Sequence, residues 1–248
     1  MSTTFDFIVE DFLADLEAIT DLVELVAREG RSSKSRIASI NSATLLLAAT
    51  FEEFIRDMGR QFAREFVSRT ERVTDLPPKL TATVWKQALN EIARVKIELA
   101  ATTPPLLHIA TEARFEFESI CKFFEGDTSQ DIYKHVAHNQ NNMKSDKINS
   151  IFKVFNIKNI CSNISSRDLI KLHFCEQDAK KSHLKFINGI DRFMEKRNGI
   201  AHSLNPGSSA GVESFIADIE LLRVTAQALA EALPHDLPST YTRRSIES

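Results

Sequence analysis

Apolar residues recur at steps of three and four from Phe5 to Leu233, and that spacing commits almost the whole chain to α-helix. A helix turns once in about 3.6 residues, so these steps gather the apolar side chains onto one stripe. The first stretch, about residues 5–29, places Phe5, Ile8, Phe12, Leu16, Ile19, Val23 and Val26 on one face. Gly30 closes it, and Ser32-Ser33 offers a cap to the next helix. That second helix, about 34–70, carries the stripe Ile37, Ile40, Thr44, Leu47, Phe51, Phe54, Met58 and Phe62. Its other face is charged: Glu52, Glu53, Arg56, Asp57, Arg60, Arg64 and Glu65.

Pro77-Pro78 and Pro104-Pro105 open a third and a fourth helix, because proline is tolerated in a first turn. The third is read from Val84, Ala88, Ile92, Val95 and Leu99, the fourth from Leu106, Ala110, Ala113, Phe117, Ile120 and Phe124. Gly126-Asp127-Thr128-Ser129 then breaks the pattern. Residues 127–178 read as a less regular insertion with two short helices, near 144–155 and 166–177. The second of these follows the capping-box-like Ser165-Ser166-Arg167-Asp168. Two more helices cover about 180–204 and 211–233. The expected fold is all-α, an antiparallel helical bundle with long N-terminal helices and a mid-chain helical insertion. One domain is expected over 1–236, with a flexible tail at 237–248.

Seven Gly and seven Pro are too few for an all-β sandwich, which needs a turn about every 8–12 residues. Seventeen Phe against two Tyr and one Trp predict a core filled by rings without polar handles. A net charge of −3 gives no overall nucleic-acid footprint, and leaves room for a basic surface confined to one cleft. Three cysteines, odd in number and without a Cys-x-x-Cys pair, predict a reducing cytoplasmic setting. Residues 1–6 lack the basic and apolar regions of a signal peptide. No run approaches the roughly 18 apolar residues of a membrane span, so no membrane partner is expected.

The chemistry is concentrated in Arg197-Asn198-Gly199-Ile200-Ala201-His202. Asn198 and His202 stack on one helix face at i, i+4, with Arg197 on the neighbouring stripe. The apolar seam runs Ile187, Ile190, Met194, then Arg197, then Ala201 and Leu204, before Asn205-Pro206-Gly207 ends the helix. An arginine thus takes a core position, and burying an unpaired guanidinium is costly. Either it is a structural ion pair or it is a functional group held in a cleft. Glu52-Glu53 is either a solvated pair or the source of an acid for Arg197 or His202.

As functional groups these residues suit phosphoryl transfer in RNA. A histidine with an ordinary pKa near about 6.5 can take a proton from a ribose 2′-hydroxyl or give one to a leaving 5′-oxygen. An arginine offers a planar fork to the phosphoryl oxygens. Asn198 would orient the imidazole or hold a ribose. This chemistry needs no metal and no cofactor. Lys181, Lys185, Arg192 and Lys196 line the same helix, and Arg192 and Lys196 are the candidate phosphate-backbone contacts. Asp191 and Glu195 allow the plainer reading of a solvated, charge-balanced face. About 140° separates Arg197 from His202 around an ideal helix. A complete site therefore calls for two copies of the chain, with Gly199 permitting close backbone approach. His135-x-x-His138 has metal-ligand spacing but no third ligand nearby in sequence, so no metal site is assigned.

Arg197, Asn198 and His202, set in a helical bundle, resemble the hallmark of the HEPN superfamily: an Arg, four to six residues, then a His, often with a polar residue after the Arg. The segment Leu45-Leu46-Leu47-Ala48-Ala49-Thr50-Phe51-Glu52-Glu53-Phe54-Ile55-Arg56 is similar to the long helix of larger stand-alone members, including the RiboL-PSP-like branch. Asn141-Asn142-Met143 resembles the same group. The resemblance implies a metal-independent endoribonuclease that acts as a homodimer and leaves a 2′,3′-cyclic phosphate. It implies service as a toxin or antiviral-defence effector, with an antitoxin or sensor as a further partner. The alternative is an inactive HEPN-like module that binds RNA, a nucleotide or a protein.

Overall fold

The computed structural model describes residues 3–28, 32–94, 106–137, 142–202 and 211–239, and the side chains of 26–28 and 106–112 are left aside. The described residues form helices and turns, with no strand among them. The helices are α1 (Thr4–Arg28), α2 (Ser33–Ser68), α3 (Pro78–Ile92), α4 (Leu106–Phe124), α5 (Ser145–Lys153), α6 (Ile160–Ser165), α7 (Asp168–His173), α8 (Ala179–His202) and α9 (Val212–Ala232). Short 3₁₀ turns sit at Val73–Asp75, Tyr133–His135 and Leu233–Asp236.

The chain divides into two compact units. The first comprises Met1–Met58, Gln140–Lys153 and Ile157–Asp236; the second comprises Gly59–Asn139, Val154–Asn156 and Leu237–Ser248. In the first unit most of the expected stripe positions are buried, with Ile8 and Ile37 only partly so. Phe5, Phe12, Leu16, Ile19 and Val23 of α1 are buried, as are Ile40, Thr44, Leu47, Phe51, Phe54 and Met58 of α2. Phe12 joins the two helices, its ring centroid 4.4 Å from that of Phe54 and 6.3 Å from that of Phe51. Each such ring contributes about 1.5–3 kcal/mol by leaving water.

α9 is the hub of this unit. It packs on α1, α6, α7 and α8, and it buries Phe215, Ile219, Leu221, Leu222, Ala226, Ala228, Leu229 and Ala232. A helix apolar around so much of its circumference belongs in a core. α8 lies against it, burying Ser182, Phe186, Gly189, Ile190, Phe193 and Met194. Gly189 serves close approach here, since a Cβ would stand 2.9 Å from Leu221 Cδ2.

The insertion differs from expectation. Three short helices occupy it, α5, α6 and α7. The Ser165-Ser166-Arg167-Asp168 segment does not act as a capping box: Ser165 ends α6, and Arg167 precedes α7 with no side-chain cap. Ser165 Oγ instead donates to its own helix at Ser162 O and meets His183 Nδ1. The true cap is Asn159, whose side chain accepts from Ser162 N–H at 3.0 Å. Asn159→Ala is expected to lower stability by about 1 kcal/mol, the usual cost of a lost N-cap, read as a small drop in the urea midpoint. No change would show that α6 is held by packing alone.

In the second unit, Pro78 takes the first position of α3, and Leu80, Val84 and Ala88 form its buried face. Phe155 caps the Gly59–Ser68 end of α2, edge-on to Phe62 at 4.9 Å. The expected core positions Val95 and Leu99, the helix stop at 205–207, and His138 lie outside the described residues. No helix among the described residues is long and apolar enough to cross a membrane.

Candidate functional site

The last two turns of α8 carry Arg192, Lys196, Arg197, Asn198 and His202. The apolar seam stops at Met194, and beyond it the helix leaves the core: Gly199, Ala201 and His202 are exposed. Arg197 sits at the margin, its side chain 26% exposed against 6% for Glu52 of α2. The guanidinium Nη2 lies 3.7 Å from Glu52 Oε1, so the acid that a half-buried arginine calls for comes from the long second helix.

Four residues close a ring around that contact. Arg197 Nη1 donates to Asn198 Oδ1 at 3.0 Å. Asn198 Nδ2 donates to Asn142 Oδ1 at 3.2 Å, and the Asn142 backbone N–H donates to Glu52 Oε1 at 2.7 Å. Asn142 has φ +61°, the left-handed conformation that asparagine tolerates better than most residues. That turn lets its amide meet α2 while its side chain meets α8. Met143 beside it is fully buried.

Asp191 and Glu195 of α8 hold the same segment. Asp191 Oδ1 accepts from Ser145 N–H at 2.7 Å, and Asp191 Oδ2 accepts from Ser145 Oγ at 3.1 Å. Lys144 Nζ lies 2.8 Å from Glu195 Oε1. Residues 142–145 are thereby latched to α8 at three successive positions. The two acids do more than balance a basic face.

The basic stripe is divided. Lys196 turns to α9, with Nζ 2.5 Å from Asp218 Oδ2 and 3.3 Å from Ser214 Oγ. Lys185 Nζ lies 3.2 Å from both Glu176 Oε2 and the Phe174 carbonyl oxygen. Arg192 and Lys181 stay exposed. His202 is the last residue of α8. It makes no hydrogen bond or ion pair among the described residues.

The structure thus brings Arg197 and Asn198 into one polar cluster and leaves His202 on the open turn beyond. Glu53, the other acid of the pair, is exposed beside Arg56. A signal in the sequence could have separated the two. Ala48 and Ile55 stand four before and three after Glu52, and both are fully buried, so Glu52 shares an inward stripe. Asn142 carries no comparable signal. The three cysteines are free, and burial pushes the Cys161 thiol up to about 12, which removes it as a nucleophile. Among the described residues, Glu91, Glu116 and His135 are the group with donors placed to hold a metal ion, and they belong to the second unit.

Two of the four residues in the ring, Glu52 and Asn142, are distant in sequence from the motif. The family model described as RiboL-PSP-HEPN matches residues 10–235, which include α8, α2 and the Asn142 segment. Comparison with curated proteins and with solved structures finds no match.

Proposed function

The chain belongs to the RiboL-PSP-HEPN family, and on that premise we propose that it is an endoribonuclease whose site is built on Arg197, Asn198 and His202. The observation that carries this reading is the placement of these three side chains. Arg197 and Asn198 are oriented by Glu52 and Asn142, while His202 stands exposed one turn from Asn198. A fixed arginine beside a solvent-accessible imidazole suits a phosphodiester entering from outside.

The reaction is a transesterification. The ribose 2′-oxygen attacks phosphorus, the new P–O2′ bond closes a 2′,3′-cyclic phosphate, and the P–O5′ bond breaks. One imidazole takes the 2′-hydroxyl proton and an imidazolium gives a proton to the leaving 5′-oxygen. Arg197 holds the phosphoryl oxygens as their charge grows. No metal ion takes part in these steps. Two copies of the chain would supply two His202 side chains for the two proton transfers. Gly199, with nothing among the described residues within 4 Å of a Cβ built on it, leaves open the face of α8 that a second copy would approach. Arg192 is the exposed cation on this helix for tracking the RNA backbone, and a toxin or defence effector is the setting that fits such an activity.

The test is the end group. Incubated with a defined RNA, the chain is expected to leave 2′,3′-cyclic phosphate and 5′-hydroxyl ends, at a rate indifferent to added magnesium. The same RNA methylated at its 2′-oxygens is expected to survive. Products bearing 5′-phosphate ends would sink the mechanism. The Glu52 carboxylate beside Arg197 favours one competing reading, a non-catalytic module in which Arg197 is a structural partner. RNA bound and left intact is its signature.

A further inference from the structure

We propose that Glu91, Glu116 and His135 form a binding site for a single divalent ion of the zinc class, separate from the Arg197–His202 site and held entirely within the second unit. Glu91 comes from α3, Glu116 from α4 and His135 from the 3₁₀ turn Tyr133–His135, so one ion would tie three elements together. One donor atom from each lies within 4.8 Å of the others. The His135 side chain is fully buried, and those of Glu91 and Glu116 are 22% and 19% exposed.

The imidazole carries the argument. His135 Nε2 lies 2.5 Å from Glu116 Oε1. A carboxylate only accepts, so Nε2 bears the hydrogen. With its hydrogen on Nε2, the ring can present a lone pair from Nδ1. That nitrogen is buried without a hydrogen-bond partner, yet it stands 3.4 Å from Glu91 Oε2. A cation between the two atoms would hold both. Two ligands of a tetrahedral ion, each at about 2.0–2.2 Å, lie about 3.4 Å apart. The observed separation matches that of two ligands on one ion.

The remaining residues fit supporting roles. A histidine that ligates through one nitrogen commonly donates from the other to a carboxylate, which fixes the tautomer and aims the lone pair. Glu116 does this for His135. Lys134 Nζ lies 2.6 Å from Glu116 Oε2 and 3.9 Å from Glu91 Oε2. With His135 Nδ1 and Glu91 as direct ligands, the other positions on the ion are left to water. The imidazole nitrogen among the donors favours zinc and its neighbours over calcium or magnesium.

The experiment uses the full chain, stripped with chelator and titrated with zinc chloride by calorimetry and thermal melting. One zinc per chain is expected, with a saturable rise in melting temperature. Glu116→Gln is expected to weaken binding about 10–100-fold, the usual cost of losing an orienting carboxylate. His135→Ala and Glu91→Gln are expected to abolish the thermal shift. Should His135→Ala fail to fold, the near-isosteric Glu91→Gln decides alone. A Cys175→Ser control, altering the exposed thiol, is expected to bind as wild type. Absence of saturable binding would overturn the proposal, as would unchanged binding in Glu91→Gln, because His135 would then be an imidazolium bridging two carboxylates. RNA cleavage by Glu91→Gln is expected to match wild type, so failure here leaves the ribonuclease reading standing.

Discussion

His202→Ala is expected to abolish RNA cleavage, lowering the rate by about 10²–10⁴-fold, the typical contribution of a positioned general acid or base. The folding transition is expected to stay where it is. His202 is exposed on the last turn of α8 and makes no hydrogen bond or ion pair among the described residues. Substitutions at such positions usually change stability by less than about 0.5 kcal/mol. The two readouts thus part cleanly: melting temperature constant, cleavage lost. Arg197→Lys makes a useful companion, since lysine keeps the charge but loses the planar fork that grips two oxygens at once. Full cleavage by a folded His202→Ala protein would remove the imidazole from the mechanism, whatever the family.

The helices were legible because their signal is local. A stripe such as Ile40, Thr44, Leu47, Phe51 and Phe54 repeats within one turn of itself, and those residues are buried as the period requires. Proline in a first turn, as at Pro78, is local too. The short helices were misread for the opposite reason. Ser165 has the right residue type for a cap, but its hydroxyl is claimed by Ser162 and His183, the latter 18 residues away.

The candidate site divides the same way. That Arg197 would need an acid followed from its place on the seam alone. To tell which acid required the stripe to be traced through Ala48 and Ile55, the apolar neighbours that turn Glu52 rather than the adjacent Glu53 inward. Asn142 stood further from reach. It joins Glu52 across 90 residues through a backbone amide that any residue but proline possesses, and it accepts from Asn198 across 56 residues through its side-chain Oδ1. Lys196 shows the limit of a charge stripe. Spacing placed it beside the motif, whereas Asp218, a partly apolar helix's lone buried acid, draws its ammonium to α9.

Glu52→Ala is the substitution that tests the ring itself, and its expected cost is about 2–3 kcal/mol of folding stability. Glu52 is 5% exposed and accepts the Asn142 N–H at 2.7 Å. Removing it leaves a part-buried donor without its acceptor, worth about 1–3 kcal/mol. It also leaves Arg197 facing the core margin without its carboxylate. Breaking a fully buried pair costs about 3–5 kcal/mol, but Arg197 is 26% exposed and water recovers most of its charge, so this contact adds only a fraction of that. Glu52→Gln, which keeps an acceptor for Asn142, is expected to retain more than half of the lost stability. Cleavage measured well below each melting temperature should fall in Glu52→Ala, because Arg197 loses the group that aims it. A double-mutant cycle with Arg197→Ala then isolates the pair. Residues in contact commonly couple by about 0.5–3 kcal/mol. Strict additivity, with wild-type cleavage by Glu52→Ala, would mean that the 3.7 Å contact is incidental and that Arg197 owes its position to Asn198 alone.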